Sequence, residues 1–218
     1  GVWELNEGQY FSEFSRELHV VKPYAIPHDW RRCLTIDYGL DMLAALWIAQ
    51  SPDGHSVVYR ELYRPGLIIS DAAAQMLACE TAGERIDCRL APPDLWNRRQ
   101  ETGRSAVELF ADSGLDFVKS SNERVAGWLA LHELLMPRKD TDGAVRPRLT
   151  IFDTCRNLIR TLPALQHDKR NPSDTANTPH ELTHAPDALR GYAATVYEPV
   201  KAVPPSAYAC EVGEFLRF

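Results

Sequence analysis

Positive charge is in short supply: the 218 residues carry 24 Lys and Arg against 30 Asp and Glu, a formal net charge of −6. Such a chain does not coat nucleic acid by bulk charge, although an acidic metal site beside local basic patches stays compatible with nucleic-acid chemistry. No run of about 18 apolar residues occurs, so no membrane-spanning helix is expected. The opening GVWELNEGQY is acidic and polar, unlike a secretory signal. Cysteine is sparse, and Cys33, Cys79, Cys88, Cys155 and Cys210 include no C-x-x-C pair. Neither a disulfide framework nor a thiolate zinc site is therefore expected, and reduced structural cysteines are. There is no internal repeat and no low-complexity tract. The phosphate-cradling pattern G-x-x-x-x-G-K-S/T is missing too.

What is present is an ordinary globular balance, 44% hydrophobic and 25% charged residues. A chain of this length reads as one domain with a core large enough to stand without staples. The stretch from Gly1 to about Trp30, with Phe11, Phe14, Tyr24 and Trp30 between prolines, reads as an arm packed along a core. Cys33–Ile36, Met42–Ala49 and Ser56–Tyr63 are apolar, β-branched or aromatic. Tyr38-Gly39 and Ser51-Pro52-Asp53-Gly54 separate them, the latter a hairpin signal because Gly accepts positive φ. Three sequential antiparallel strands are expected.

Strands and helices then alternate. A helix capped by Ser70 or Asp71 runs to about Ala82, and Ile86–Ala91 is a strand stopped by Pro92-Pro93. Ser105–Ser113 is a helix and Leu115–Lys119 a strand. Ser120 and Glu123 suggest a capping box for a helix to about Met136, with Val125, Leu129, His132 and Met136 on one face. Pro137–Pro147 is a charged loop before a strand at Arg148–Phe152, and Asn157–Leu162 a short helix. Residues 166–178 are polar, and Pro186–Tyr197 is the last helix, with Pro at its first position. Trp47, Trp96 and Trp128 are core or rim aromatics. The fold class is α/β: a mixed central sheet, three antiparallel strands followed by parallel ones, flanked by helices.

Two constellations carry chemistry. His180-Glu181-Leu182-Thr183-His184 matches H-E-x-x-H, which needs both histidines on one helical face and Glu181 as general base. Pro186 opposes it, because in a continuing helix its ring would strike the Leu182 carbonyl. Only Asp187 or Glu198 is near enough in sequence to be a third ligand. The second constellation is acidic: Asp37 ends the first strand, Asp94 follows the fourth, and Asp187 opens the last helix, where the dipole favours an anion. Carboxylates gathered at element ends repel one another unless divalent cations with oxygen ligands relieve the charge. Taken singly, each is more often a turn former or a helix cap.

Across most of its length the chain resembles the C-terminal nuclease domain of the large terminase subunit of tailed bacteriophages. The resemblance is carried in order by GQYFSEFSRELHVVKPYAIPHDWRRCLTIDYG, VVYRELYRPGLIISDAA, APPDLWNRRQETGRSAVELF, SSNERVAGWLALHELL, TIFDTCRNLIRTLPALQHDKRNPSDT and THAPDALRGY. It implies an RNase H-like fold with a mixed five-stranded core sheet. It also implies three acidic residues holding two Mg²⁺ or Mn²⁺ ions to hydrolyse phosphodiester bonds of concatemeric double-stranded DNA with little sequence preference. By position, Asp37 and the acidic residue of the closing H-x-x-D-A-L-R motif, Asp187, carry over. The family's middle ligand falls on Pro92, so Asp94 is the nearest carboxylate, with Asp41, Glu61 and Asp87 as alternatives. His184 becomes a neighbour of the metals that orients water or a phosphate oxygen, and His180 a bystander. Asn122, Arg124 and Gly127 match the family's helix start without an assigned chemistry.

The resemblance implies further that residues 1–30 are linker from an ATPase domain absent from this sequence. Residues 31–200 would be the nuclease domain and 201–218 a tail. Expected partners are DNA, the portal protein and the small terminase subunit, in the host cytoplasm, with the isolated domain monomeric and no membrane contact. DNA contacts are expected from Arg98, Arg99, Arg138, Lys139, Arg146 and Arg148, the last four as a basic loop beside the acidic site, with Arg31, Arg32 and Arg104 as further basic positions. A non-catalytic docking domain and a zinc peptidase are the competing readings.

Overall fold

Leu43–Gln50 is buried on both faces, so this strand must lie inside a sheet covered on two sides. The computed structural model describes residues 8–139 and 143–196. Cys210, Glu198 and the expected tail lie outside these. Among the described residues the chain runs α1 (Arg16–His19), β1 (Val20–Val21), β2 (Arg31–Tyr38), β3 (Leu43–Gln50), β4 (Ser56–Arg64) and α2 (Ile69–Cys79). It continues through β5 (Cys88–Ala91), a 3-10 turn at Pro93–Trp96, α3 (Ala106–Asp112), β6 (Val118–Lys119) and α4 (Arg124–Leu135). Last come β7 (Arg138–Lys139), β8 (Val145–Arg146), β9 (Leu149–Phe152), α5 (Arg156–Thr161), 3-10 turns at Leu162–Ala164 and His180–Leu182, and α6 (His184–Val196).

The main sheet has the order β1-β9-β4-β3-β2-β5-β6. β3 is antiparallel to β2 and β4, and every other pairing is parallel, so β3 alone opposes the rest. The three antiparallel strands appear as expected, and Gly54 takes φ 86° in the hairpin between β3 and β4. The expected five-stranded core is extended by β9 and β1 to seven strands. Period-2 alternation divides the core between the two faces. Ala44, Leu46 and Ile48 pack with α4, α5 and α6 residues such as Trp128, Leu158 and Leu189. Leu43, Ala45 and Trp47 pack with Met76 of α2 and Phe110 of α3. The arm joins the first of these cores through Tyr10, Phe11 and Phe14, and β1 pairs in parallel with β9.

Several local expectations are corrected. Ser120 and Glu123 form no capping box: Glu123 is the N-cap without a side-chain bond, and Ser120 Oγ donates to the Ala91 carbonyl at 3.2 Å. A capping box does form between Ser105 and Glu108. α2 begins at Ile69 without a side-chain cap from Ser70 or Asp71 and ends at Cys79. α4 buries Gly127, Trp128, Leu131, Leu134 and Leu135, while Leu129 and Met136 are exposed. The helix is apolar nearly all round, so periodicity could not single out the packed face. The charged stretch after α4 is no simple loop, because β7 and β8 pair in it as an antiparallel hairpin. α6 starts two residues earlier than expected, leaving Pro186 in the first turn, where no N–H is required of it.

α4 and α6 approach so closely at Gly127 that an added Cβ would stand 2.7 Å from Arg190 Cγ and 3.2 Å from Ala194 Cβ. We expect Gly127→Ala to destabilise the protein by about 1–3 kcal/mol through overpacking, and Gly127→Val by more. Chemical denaturation measures both; unchanged midpoints would show that the helices can part at no cost.

Candidate active site

Strand alternation aims Asp37. Thr35 and Asp37 are two residues apart on β2 and share a face. Thr35 Oγ1 donates to the Ala188 carbonyl of α6 at 2.8 Å, so Asp37 also faces α6. There it meets the first turn of that helix, which carries His184 and Asp187. Parallel pairing sets Thr35 opposite Leu90 on β5, and continuing that register puts Pro92 abreast of Asp37. The chain then turns at once into the 3-10 turn that carries Asp94. Asp37, Asp94 and Asp187 line one polar cavity of about 180 Å³, with Asn122, Arg124 and Arg190. It opens outside the carboxyl ends of β2 and β5, beside the reversal in strand direction at β3, where open α/β sheets form ligand clefts.

The electrostatics are those of crowded carboxylates. Burial pushes the Asp37 carboxyl above its usual range; the charges of Asp187 and Asp94 add to this, and the hydrogen bond from His184 opposes it. His184 Nδ1 donates to Asp37 Oδ2 at 2.9 Å, and this bond holds the imidazole pKa above its ordinary value against the effect of burial. His184 Nε2 lies 3.3 Å from Asp41 Oδ2. Both ring nitrogens therefore face carboxylates, which suits His184 to positioning Asp37.

Asp187 is compensated by arginine. Its Oδ1 accepts from Arg124 Nη1 and Arg190 Nε, each at 2.9 Å. Arg124 also donates through Nε to both carboxylate oxygens of Asp174, at 2.8 and 3.1 Å. Its Nη2 reaches Thr175 Oγ1 at 3.0 Å and Asn177 Oδ1 at 2.9 Å. Both guanidiniums stand over the Trp128 ring, 5.3 and 5.4 Å from its centroid, and the indole N–H donates to Asp174. The polar stretch 166–178 is thus anchored to the cavity wall. Asp174 carried no sequence signal of its own, whereas Arg190 is the arginine of the H-x-x-D-A-L-R motif, at a helical i,i+3 spacing from Asp187, with no role assigned to it.

The other acidic candidates stand apart. Glu61 caps α5, accepting from the Asn157 and Leu158 amides at 3.0 and 2.7 Å. Asp87 lies at the opposite end of β5 and accepts from the Arg32 amide at 3.0 Å. Asp41 is separated from Asp37 by the His184 ring. The three carboxylates that line this polar cavity offer oxygen alone, the donor type that a hard divalent cation such as Mg²⁺ or Mn²⁺ takes.

The H-E-x-x-H helix, which Pro186 argued against, does not form. His180–Leu182 is a 3-10 turn and α6 begins only at His184, a break consistent with the Pro186 clash that a continuous helix would suffer. The basic positions divide between the two edges of the sheet. Arg98 and Arg99 follow the Asp94 turn; Arg98 pairs with Glu108 at 3.0 Å, as Arg104 does with Asp112 at 2.6 Å. Arg138 and Lys139 follow the far end of α4, whose 12 residues at about 1.5 Å each put them some 18 Å along the helix from Arg124. Arg138 pairs with Glu133 there. Arg146 and Arg148 precede β9, at the amino edge of the parallel strands, so the basic hairpin does not stand beside this cavity. Arg31 and Arg32 also begin β2 at that amino edge, and Arg32 binds the backbone carbonyls of Ile26, Pro27 and Trp30.

Comparison with solved structures shows what this fold is. The nuclease domain of the P22 large terminase superposes with a TM-score of 0.67 at 16% identity, over 86% of this chain and 92% of that one. The fold is that of a large-terminase nuclease domain, RNase H-like. The large terminase of a thermophilic bacteriophage, in complex with ADP, matches with a TM-score of 0.69 at 15% identity and covers 91% of this chain. This chain spans about half the length of that protein, 47%. The large-terminase nuclease from thermophilic phage G20c, with bound magnesium, matches with a TM-score of 0.54 at 13% identity, over 86% of this chain and 97% of that one. No family model matches the sequence, and no curated protein does.

Asp37 and His184 both have raised pKa values, so the folded state holds more protons than the unfolded one as pH rises. Their contribution to stability is present at low pH. It is lost as pH climbs through the raised Asp37 value and then, above about 6.5, through that of His184. In EDTA this pair is expected to give the parent a downward slope of stability with pH, beginning above the ordinary Asp value of about 4 and continuing past the ordinary His value of about 6.5. Asp37→Asn should flatten that slope, and thermal melts across the range check it; parallel slopes for the two proteins would remove Asp37 as the cause.

Proposed function

We propose that this chain is the nuclease domain of a phage DNA-packaging terminase, a divalent-metal endonuclease acting on concatemeric double-stranded DNA with little sequence specificity. The observation that carries the reading is the convergence of Asp37, Asp94 and Asp187 on one polar cavity at the carboxyl edge of the sheet. The structures of related fold with bound magnesium and bound cobalt support divalent-metal use.

Asp37, Asp94 and Asp187 would together hold the ions through their carboxylate oxygens. Two Mg²⁺ or Mn²⁺ ions held there would supply the positive charge and the activated water that phosphodiester hydrolysis needs. His184 keeps Asp37 in one orientation through its Nδ1–H. Arg124 and Arg190 neutralise Asp187 through its Oδ1. Arg98 and Arg99 lie on the same edge and would meet the phosphate backbone, in contacts that weaken with salt. The portal protein and the small terminase subunit would be partners of the assembled motor, in the host cytoplasm and at the procapsid. The two arginines on Asp187 Oδ1 favour a second reading, a docking domain that keeps the fold without cutting.

Supercoiled plasmid at low salt separates the two. Cutting is expected with Mn²⁺ or Mg²⁺, none with EDTA, and none by Asp37→Ala or Asp94→Ala. Activity that survives Asp94→Ala would move the second ligand to Asp41. A folded parent that cuts with neither metal would support the docking domain.

A further inference from the structure

The two histidines of the broken H-E-x-x-H motif do converge, on a carboxylate far away in sequence. We propose that Asp41, His180 and His184 form a binding site for a borderline divalent cation of the Zn²⁺, Co²⁺ or Ni²⁺ class, separate from the carboxylate cavity. The inference stands independently of the nuclease reading.

One candidate donor atom from each residue lies within 4.8 Å of the other two. Asp41 Oδ2 is 3.1 Å from His180 Nδ1 and 3.3 Å from His184 Nε2. Metal–ligand bonds of about 2.0–2.1 Å in a tetrahedron set donors roughly 3.3 Å apart, so only small rotations of two exposed side chains are needed. The third ligand is already locked. His184 is buried, and its Nδ1–H is held on Asp37 Oδ2 at 2.9 Å, leaving Nε2 aimed at Asp41. A carboxylate behind an imidazole is the arrangement that fixes the tautomer and raises the basicity of metal-binding histidines. His180 and Asp41 are exposed, which gives an entry path and an open coordination position.

Two imidazole nitrogens and one carboxylate oxygen select zinc-like cations, whereas the neighbouring cavity offers oxygen alone. His180 lies in a 3-10 turn and His184 opens α6, so the two histidines do not share one helical face, and the Glu181 carbonyl accepts from Tyr63 Oη at 3.0 Å. The site therefore lacks the peptidase arrangement. A cation here would tie the turn between β2 and β3 to the start of α6, the two elements that present Asp37 and Asp187.

The test is a Co²⁺ titration of the full chain in excess Mg²⁺, following the visible absorption of nitrogen-ligated cobalt. His180→Ala and Asp94→Asn are titrated alongside, with circular dichroism as the folding control. Because His180 is exposed, its removal should leave the fold intact. A band is expected in the parent and in Asp94→Asn, with affinity roughly tenfold or more weaker in His180→Ala. Zn²⁺ should bleach the band and raise the Tm of the parent but not of His180→Ala. No band in the parent, or a band unaffected by His180→Ala, overturns the proposal. A band lost in Asp94→Asn instead would assign the cobalt to the carboxylate cavity and also overturn it. Failure of plasmid cutting would leave these readouts unchanged, so the two readings fail separately.

Discussion

Asp37 has to hold a charge at the end of a buried strand with two further carboxylates nearby, and much of the surrounding structure compensates for that. Its pKa is raised by burial and by Asp187 and Asp94, so ionising it costs free energy in the folded protein. His184 offsets part of the cost by donating to Asp37, and two arginines offset the charge of Asp187. An Asp placed there as a turn former would not need this apparatus.

That arrangement depends on helix packing some distance from the cavity. Gly127 lets α4 lie against Arg190 and Ala194 of α6, which brings Arg124 within 2.9 Å of Asp187. Trp128 then backs both arginines and binds Asp174 through its indole N–H, tying the 166–178 segment to the same wall. The aromatic, the two cations and the acid form one unit. Disturbing the helix contact would therefore be felt at the carboxylates.

The H-E-x-x-H motif shows how a local pattern can mislead about geometry while naming relevant atoms. Its histidines are spaced for one helical face, yet the helix starts only at the second of them. They meet because a 3-10 turn folds His180 back over His184, with ring centroids 4.5 Å apart. The carboxylate that completes the group comes from Asp41, in the turn after β2, where Gly39 bonds back to the Met42 carbonyl at 2.8 Å.

Alternation, turn chemistry and composition by themselves determine much of this protein. The three antiparallel strands, the Gly54 hairpin and the positions of Asp37 and Asp187 at the ends of elements follow from local residue preferences. These are interactions within a few residues along the chain. Tertiary structure alone decided that Asp94, rather than Glu61 or Asp87, shares the cavity with them, because parallel register between β2 and β5 is set by pairing across the sheet. It also decided that Asp174 reaches Arg124, that the basic hairpin sits at the far edge, and that Leu129 faces solvent while Trp128 is buried. A helix apolar on all sides carries no marker of its packed face, and an ion pair between residues 50 positions apart leaves no spacing to read. Both are set by which surfaces the folded chain brings together.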